Sequence, residues 1–577
     1  MVSGICGIVN LDGAPVDRPE LERMAQRAAY RGRDGIRYQV DGAVGMAHLL
    51  LQTLPQADMH PQHLVAAERR VVFAADARLD NRDECAGADC PDAAPSDAEL
   101  MLAVMLRYPD RGPERLLGDF ACALWDGRSR RLRLARDAMG MRSLYYRVEP
   151  RRILFATELK QILAADGVPR QLSEQAVAWH LAGMQTPPGI VFYQGIDEVR
   201  PAEEVVFDAE GRTSSRIFWR PDPAHRIRYR GEQDYAEHLR HLLLEAMRCR
   251  LRARSPVGVS LSGGMDSASL ASVAGWLRER GEDLPAMRAY SWAFHELVEC
   301  DERENVYRVA NRYAIPVTEI PAEQTWPLVD YPQHGPHQDD PFFGMYQAFI
   351  ERALSLAAAD GVTVMFYGDR GDLMCGGDVA DVTGMLLAAR FGAARAELVR
   401  LSQLTGLPRF ATIKRYLIRP LIAQSTARRR RLLHVLSPLA IRVAVWTERT
   451  CAAFGTAYAD PWSDRRIAEF VLAAPQHLLH RAVEPKRLAR RAMKGIMPVQ
   501  AIRLAAKIAP GPLYERALRE QAYRTVVDLL TDSRAAELGF IDETALRARF
   551  ERFVRGEERI FDLWSTLTLE TWLRRYW

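Results

Sequence analysis

Six consecutive residues, Ser262-Gly263-Gly264-Met265-Asp266-Ser267, combine two glycines, two hydroxyls and a carboxylate. Glycine has no Cβ, so the backbone at Gly263 and Gly264 can approach an oxyanion closely. A helix starting here would turn its first N–H groups and positive end towards the same anion. Ser262 and Ser267 add hydroxyl donors, and Asp266 offers a hard oxygen of the kind Mg2+ takes. The chemistry implied is phosphate binding. It is not a Walker loop, because no G-x-x-x-x-G-K-[ST] occurs here. Further on, Gly368-Asp369-Arg370-Gly371-Asp372 follows another apolar run and supplies more carboxylates. Asp266 and Asp372 at neighbouring strand ends can bridge Mg2+ to triphosphate oxygens.

These groups must be held by a parallel sheet. Ser255 to Leu261 reads as a buried strand, and Ala268 to Ala274 opens a helix-period run. Met287 to Trp292 and Gly361 to Tyr367 read as further strands of the same sheet. Open α/β sheets bind ligands at the carboxyl ends of their strands. Gln233 to Leu251 predicts a long amphipathic helix that serves as scaffold. Residues 1–205 read differently, as antiparallel strands with few helices. Ile5 to Leu11, Val71 to Asp76 and Ala121 to Asp126 are strand-like, Pro19 to Ala29 has helical period, and Ser96-Asp97-Ala98-Glu99 is a capping box. Residues 206–232, with Arg220-Pro221-Asp222-Pro223, read as a linker to a second domain over 233–577. The run Arg428 to Arg431 reads as a solvated helix face or a dock for an acidic peptide.

The totals narrow the classes. The chain has 577 residues, 26% charged, with a formal net charge of +4, which makes no case for a nucleic-acid binder. Its eight cysteines form no C-x-x-C pair, so neither a zinc site nor a disulfide framework is expected. No apolar run approaches 18 residues and no signal-peptide pattern occurs, so the expectation is a cytoplasmic protein without a membrane partner.

Several further motifs carry a resemblance over nearly the whole length. Cys6-Gly7-Ile8, Arg31-Gly32-x-Asp34-Gly35, Gly118-Asp119-Phe120-Ala121, Arg136-Asp137-x-x-Gly140, Ala156-Thr157-Glu158-Leu159-Lys160 and the S-G-G-x-D-S loop together resemble glutamine-dependent asparagine synthetase. That resemblance implies an N-terminal-nucleophile-like αββα sandwich followed by an α/β ATP-pyrophosphatase domain with extra helices. It implies ATP and Mg2+, an ATP site including Leu261, Ser262, Gly263, Gly264, Asp266, Ser267, Ser291 and Gly368, and metal ligands Asp266 and Asp372. Asp369 stands where the family has Glu, and Arg370 where it has a small residue. The loop bearing Asp339 and Asp340 would line the substrate pocket. Pro485-Lys486 and Met497-Pro498-x-x-x-Ile502-Arg503-x-x-x-Lys507 look like the segment that delivers the catalytic lysine. Lys507, with Arg503, takes that role here, and Lys494 and Lys486 are the alternatives.

Two departures bear on activity. A working glutaminase of this type uses the α-amine of its nucleophilic cysteine as base, yet five residues precede Cys6. Asp76-Ala77 stands near the place of the Asn-Gly pair that supplies oxyanion donors. An inactive glutaminase half is therefore expected, with Cys6 a small buried residue. The amide nitrogen must then come from elsewhere, most simply from an amine on the substrate itself. The stretch Asp76 to Glu84 looks most like the lasso peptide cyclases of the family. The resemblance implies adenylation of an Asp or Glu side chain in a core peptide and closure by the peptide's own α-amine. Partners would be that precursor, a leader peptidase and a leader-recognition protein. A β-lactam-synthetase-like enzyme, an ammonia-dependent asparagine synthetase and a non-catalytic scaffold are the other readings.

Overall fold

The computed structural model describes residues 3–55, 63–66, 70–86, 95–335, 337–342, 344–376, 381–387, 389–422, 427–482, 484–503, 510–558 and 561–577. Its first half stacks two six-stranded antiparallel sheets. The first runs in the order Asp197–Glu198, Tyr145–Glu149, Arg152–Ala156, Gly4–Asn10, Val44–Leu49 and Ile36–Asp41. The second runs Thr213–Ile217, Glu203–Phe207, Arg131–Arg136, Gly118–Asp126, Val71–Leu79 and His63–Ala66. Alternating side chains explain the stacking. Ile5 and Val9 meet Val72, Ala74, Leu132 and Leu134 between the sheets, while Cys6 and Ile8 face helix Arg18–Gln26 on the outer side. Helix Asp97–Arg107 covers the other sheet and completes the αββα order. Its Ser96 hydroxyl and Glu99 carboxylate form the expected capping box.

The supposed linker is partly sheet. Thr213–Ile217 is the edge strand of the second sheet, paired from Glu203↔Ile217 to Phe207↔Thr213. The first half therefore continues past residue 205. Short turns between charged strands such as Glu203–Phe207 and Thr213–Ile217 hide an edge hairpin from hydropathy alone.

The second half is built on a five-stranded parallel sheet in the order Val317–Pro321, Met287–Ala293, Val257–Ser260, Val364–Phe366 and Ala457–Ala459. From the central strand the chain first adds strands on one side and later on the other. The crevice between Val257–Ser260 and Val364–Phe366 is thus a topological switch point, where such sheets bind ligands. Helix Glu232–Leu251 buries Tyr235, Leu239, Leu243 and Met247 as the periodicity predicts. One apolar cluster runs from Phe73 and Phe120 of the first half through this helix to Val257 and Phe366 of the second. The halves share a core.

Candidate functional site

A cleft of about 480 Å³ opens at the switch point. Its walls are Ser262 to Ser267, Tyr367 to Asp369, Asp372 and the segment Pro485-Lys486. Helix Met265–Glu279 begins at the loop, with Gly264 as its N-cap residue. The hydroxyls of Ser262 and Ser267 lie 3.0 Å apart, and the Ser262 amide donates to Ser267 Oγ at 3.0 Å. The loop is thereby pinned to the first helical turn. The Gly263 amide donates to Glu302 Oε2 at 3.2 Å, which ties the loop to Glu302, the N-cap residue of helix Arg303–Arg312.

Asp266 and Asp372 meet here, as their positions after adjacent strands imply. Between them sits Lys486. Its Nζ lies 2.5 Å from Asp266 Oδ2 and 2.5 Å from Asp372 Oδ1. Burial acts to lower the Lys486 pKa, but the two carboxylates outweigh it and hold the ammonium charged above its usual range. Lys486 caps helix Arg487–Ala492 in a left-handed backbone conformation, φ 53°, which aims its side chain out of the helix line into the cleft. The alternative lysine of the sequence reading thus occupies the site. Lys507 lies outside the described residues.

Asp369 is exposed in the cleft and accepts a hydrogen bond from the Tyr458 hydroxyl at 3.1 Å. Beneath it Asp460 is fully buried and accepts from the Arg370 and Trp462 amides, both at 3.0 Å. Burial, with Asp369 nearby, pushes the Asp460 carboxyl up to about 8, so it is largely protonated at neutral pH. Gly368 and Gly371 permit this crowding. A Cβ on Gly371 would meet Asp266 Cγ at 2.3 Å, and one on Gly368 would meet the Ser267 amide nitrogen at 2.8 Å.

Five expected site residues stand elsewhere. Ser291 and Leu261 are buried in the sheet, 3% and 2% exposed, and line no part of the cleft. Arg503 lines a separate groove of about 580 Å³ with Lys494 and Arg491, joined to the cleft through Pro485 and Arg490. The substrate-loop expectation for Asp339 and Asp340 is corrected. Asp339 accepts the Leu159 and Lys160 amides at 2.9 and 3.0 Å, and Asp340 pairs with Arg449 at 2.9 Å. Asp339 is spent joining the two halves, and Asp340 on an ion pair within the second.

That joint is ionic and buried. Arg31 donates to Glu158 and, bidentately, to Glu448 at 2.5 and 2.8 Å. Glu158, His337 and Asp339 are close enough to share a metal ion, but the Lys160 ammonium lies 2.8 Å from Glu158 Oε2 and 2.7 Å from His337 Nε2. A lysine fills that place. In the first half, Cys6 sits mid-strand, paired with Ala47 on one side and Ala156 on the other, and its burial pushes the thiol pKa up. Its nitrogen is a strand amide. Asp76 is buried, accepts the Ser3 amide at 3.3 Å, faces Arg142 at 3.4 Å, and is pushed by burial to about 6.

An asparagine synthase family model matches residues 238–574, and a glutamine amidotransferase domain model matches residues 2–219. The chain belongs to the asparagine synthase family. Similar relatives include Amidase chry2 of Gibberella zeae, 33% identical over 37% of this chain and 33% of its own length. Amidase chyE of Penicillium rubens is 31% identical over 37% of this chain and 33% of its length. The chain thus matches about a third of the length of these two. A putative glutamine-hydrolysing asparagine synthetase 2 of Methanocaldococcus jannaschii is 24% identical over 66% of this chain and 76% of its own. Within this family the cleft corresponds to the synthase half, and the mid-strand cysteine to the amidotransferase half. Among the described residues no helix is long and apolar enough to cross a membrane.

Proposed function

We propose that the protein is an AMP-forming, ATP-dependent amide ligase whose nitrogen is not drawn from glutamine. The observation that carries this is Lys486 held between Asp266 and Asp372 over the Ser262–Ser267 cradle. A substrate carboxylate attacks the α-phosphorus of ATP, the bond to pyrophosphate breaks, and an acyl-adenylate forms. An amine then displaces AMP. The first amides of helix Met265–Glu279 and the Ser262 and Ser267 hydroxyls take phosphate oxygens, and Lys486 neutralises charge that grows on the departing pyrophosphate. Asp266 and Asp372 are the hard oxygen donors that would hold Mg2+ if it took the place between them that the Lys486 ammonium now fills. When bound, Mg2+ supplies Lewis-acid stabilisation of the phosphates.

The finer reading is a lasso peptide cyclase: the carboxylate is an Asp or Glu side chain of a core peptide and the amine is its own α-amine. A cysteine whose nitrogen is a strand amide supports it, because that thiol lacks the free amine needed as a base. The decisive experiment supplies MgATP with a core peptide, the leader peptidase and the leader-recognition protein, or with aspartate plus glutamine or ammonia. Loss of one water from the peptide with AMP release is expected. Asparagine from glutamine would overturn the reading, and asparagine from ammonia alone would leave only the coarser ligase.

A further inference from the structure

Arg370 lies in the loop that carries Asp369 and Asp372, but its side chain does not line the cleft. It is 1% exposed, and its Nη2 donates to the carbonyls of Met139 at 3.0 Å and Ala440 at 3.2 Å. Met139 belongs to the amidotransferase-like half. Its carbonyl is presented by a tightly made turn: Asp137 accepts the Met139, Met141 and Arg142 amides, all at 3.0 Å. Arg136 donates to the Gly140 carbonyl at 3.1 Å and closes the same turn. Gly140 has φ 67°, and a Cβ there would meet Pro201 Cγ at 2.7 Å. At the other end, the Arg370 amide donates to Asp460 under the cleft floor. The Nε and Nη1 of Arg370 make no hydrogen bond among the described residues. A buried guanidinium with neutral partners and two idle donors is a poor stabiliser. Its geometry is that of a strut.

We propose that Arg370 is a positioning residue: it fixes the Gly368–Asp372 loop to the Met139 carbonyl, so the amidotransferase-like half serves as the rigid backing of the ATP cleft. The second half does not hold its own carboxylate loop alone. This gives the first half a task in the synthetase reaction that needs neither Cys6 nor glutamine. The inference rests on the ATP reading of the cleft, and part of its test is independent of it.

The test uses the full-length protein with Arg370→Met, Arg370→Lys, Asp137→Asn and the Arg370→Met/Asp137→Asn pair. Amide exchange of a peptide spanning 364–375 and calorimetric binding of MgATP are measured beside the thermal midpoint. Arg370→Met should leave the midpoint equal or higher, since an apolar isostere removes a poorly solvated cation. The loop amides should nevertheless exchange about tenfold faster, as expected for a locally opened segment, and MgATP should bind more weakly. Asp137→Asn, acting from the other half, should move both readouts the same way by about threefold, and the pair should be no worse than Arg370→Met alone. Arg370→Lys keeps a cation with donors and should fall between wild type and Arg370→Met, which preserves the test if the methionine variant does not fold. Unchanged exchange and affinity in Arg370→Met, or effects of the two substitutions that multiply independently, would overturn the proposal. Should wild type bind no MgATP, the ATP reading fails, and the exchange data still decide the strut.

Discussion

At the residue scale, Lys486 decides more than any other side chain. Its ammonium is held by two carboxylates at the wall of the cleft, beside the cradle where phosphate charge would develop. Stabilisation of charge that grows only as pyrophosphate leaves raises turnover rather than affinity. Lys486→Ala should therefore keep ATP binding near wild type and lose about a hundredfold or more in AMP release, the scale of removing one charge-stabilising donor. Lys486→Arg should restore little, because a planar fork does not replace a compact ammonium between two carboxylates. Single-turnover AMP release with separate ATP titration checks both, and unchanged release would remove the role. Cys6 is the opposite case. Buried mid-strand with its thiol pKa raised, it is a core residue, and Cys6→Ala should leave ATP-dependent amide formation unchanged, measured as product per AMP. Both residues were visible in the sequence, but not equally. The place of Cys6 after five residues could be read directly, whereas the entry of Lys486 into the cleft depends on a left-handed backbone at a helix start. No periodicity encodes that.

At the element scale, the strand–loop–helix at 257–279 was legible because each piece obeys a local rule: a β-branched strand, two glycines, then helical spacing. The packing of one loop on another was not. Gly371 lies against the Asp266 carboxylate, and no spacing rule links residues so far apart in the chain. Gly371→Ala should push that carboxylate aside, costing about 1–3 kcal/mol in stability as overpacking does and weakening MgATP binding as well. Gly392→Ala is the control. It stands inside helix Phe391–Thr405 with open space around its Cβ, so it should gain about 0.5–1 kcal/mol from helix propensity with no change in binding. Denaturant midpoints and calorimetry on both variants check this pair. A Gly371→Ala protein binding MgATP as tightly as wild type would show that the loops do not need their close approach. The arginine run shows the same limit. Composition suggested a solvated face, yet Arg431 is fully buried and donates to Gln476 and to the Met374 carbonyl at 2.7 and 2.6 Å. Partners from distant elements, not local charge density, decided its fate.

At the scale of the whole molecule, two halves legible as separate domains prove to be joined by a shared apolar cluster and a buried ionic seam. The seam was hidden because its members come from remote positions: Arg31 and Glu448 are 417 residues apart. The same holds for His180, on helix Glu174–Leu181, whose Nε2 lies 2.9 Å from both the Ser565 carbonyl and Thr568 Oγ1 of the C-terminal helix Phe561–Tyr576. Burial lowers the His180 pKa to about 4. In the unfolded chain it titrates at its ordinary value, near 6.5. Above that pH both states carry a neutral ring and stability is undiminished. As pH falls from about 6.5 towards 4 the unfolded chain takes up a proton that the folded chain refuses, so stability drops; below 4 both are charged and the loss levels off. The span corresponds to about 3 kcal/mol. In His180→Gln this contribution vanishes. The difference in stability between wild type and His180→Gln should therefore be largest near pH 7 and shrink by about 3 kcal/mol on going to pH 4, with the midpoint falling first where the C-terminal helix meets the first half. Denaturant midpoints across that range, with amide exchange of residues 561–577 as the local reporter, check it. Parallel pH curves for the two proteins would mean that His180 takes up its proton in the folded interface as readily as in the unfolded chain.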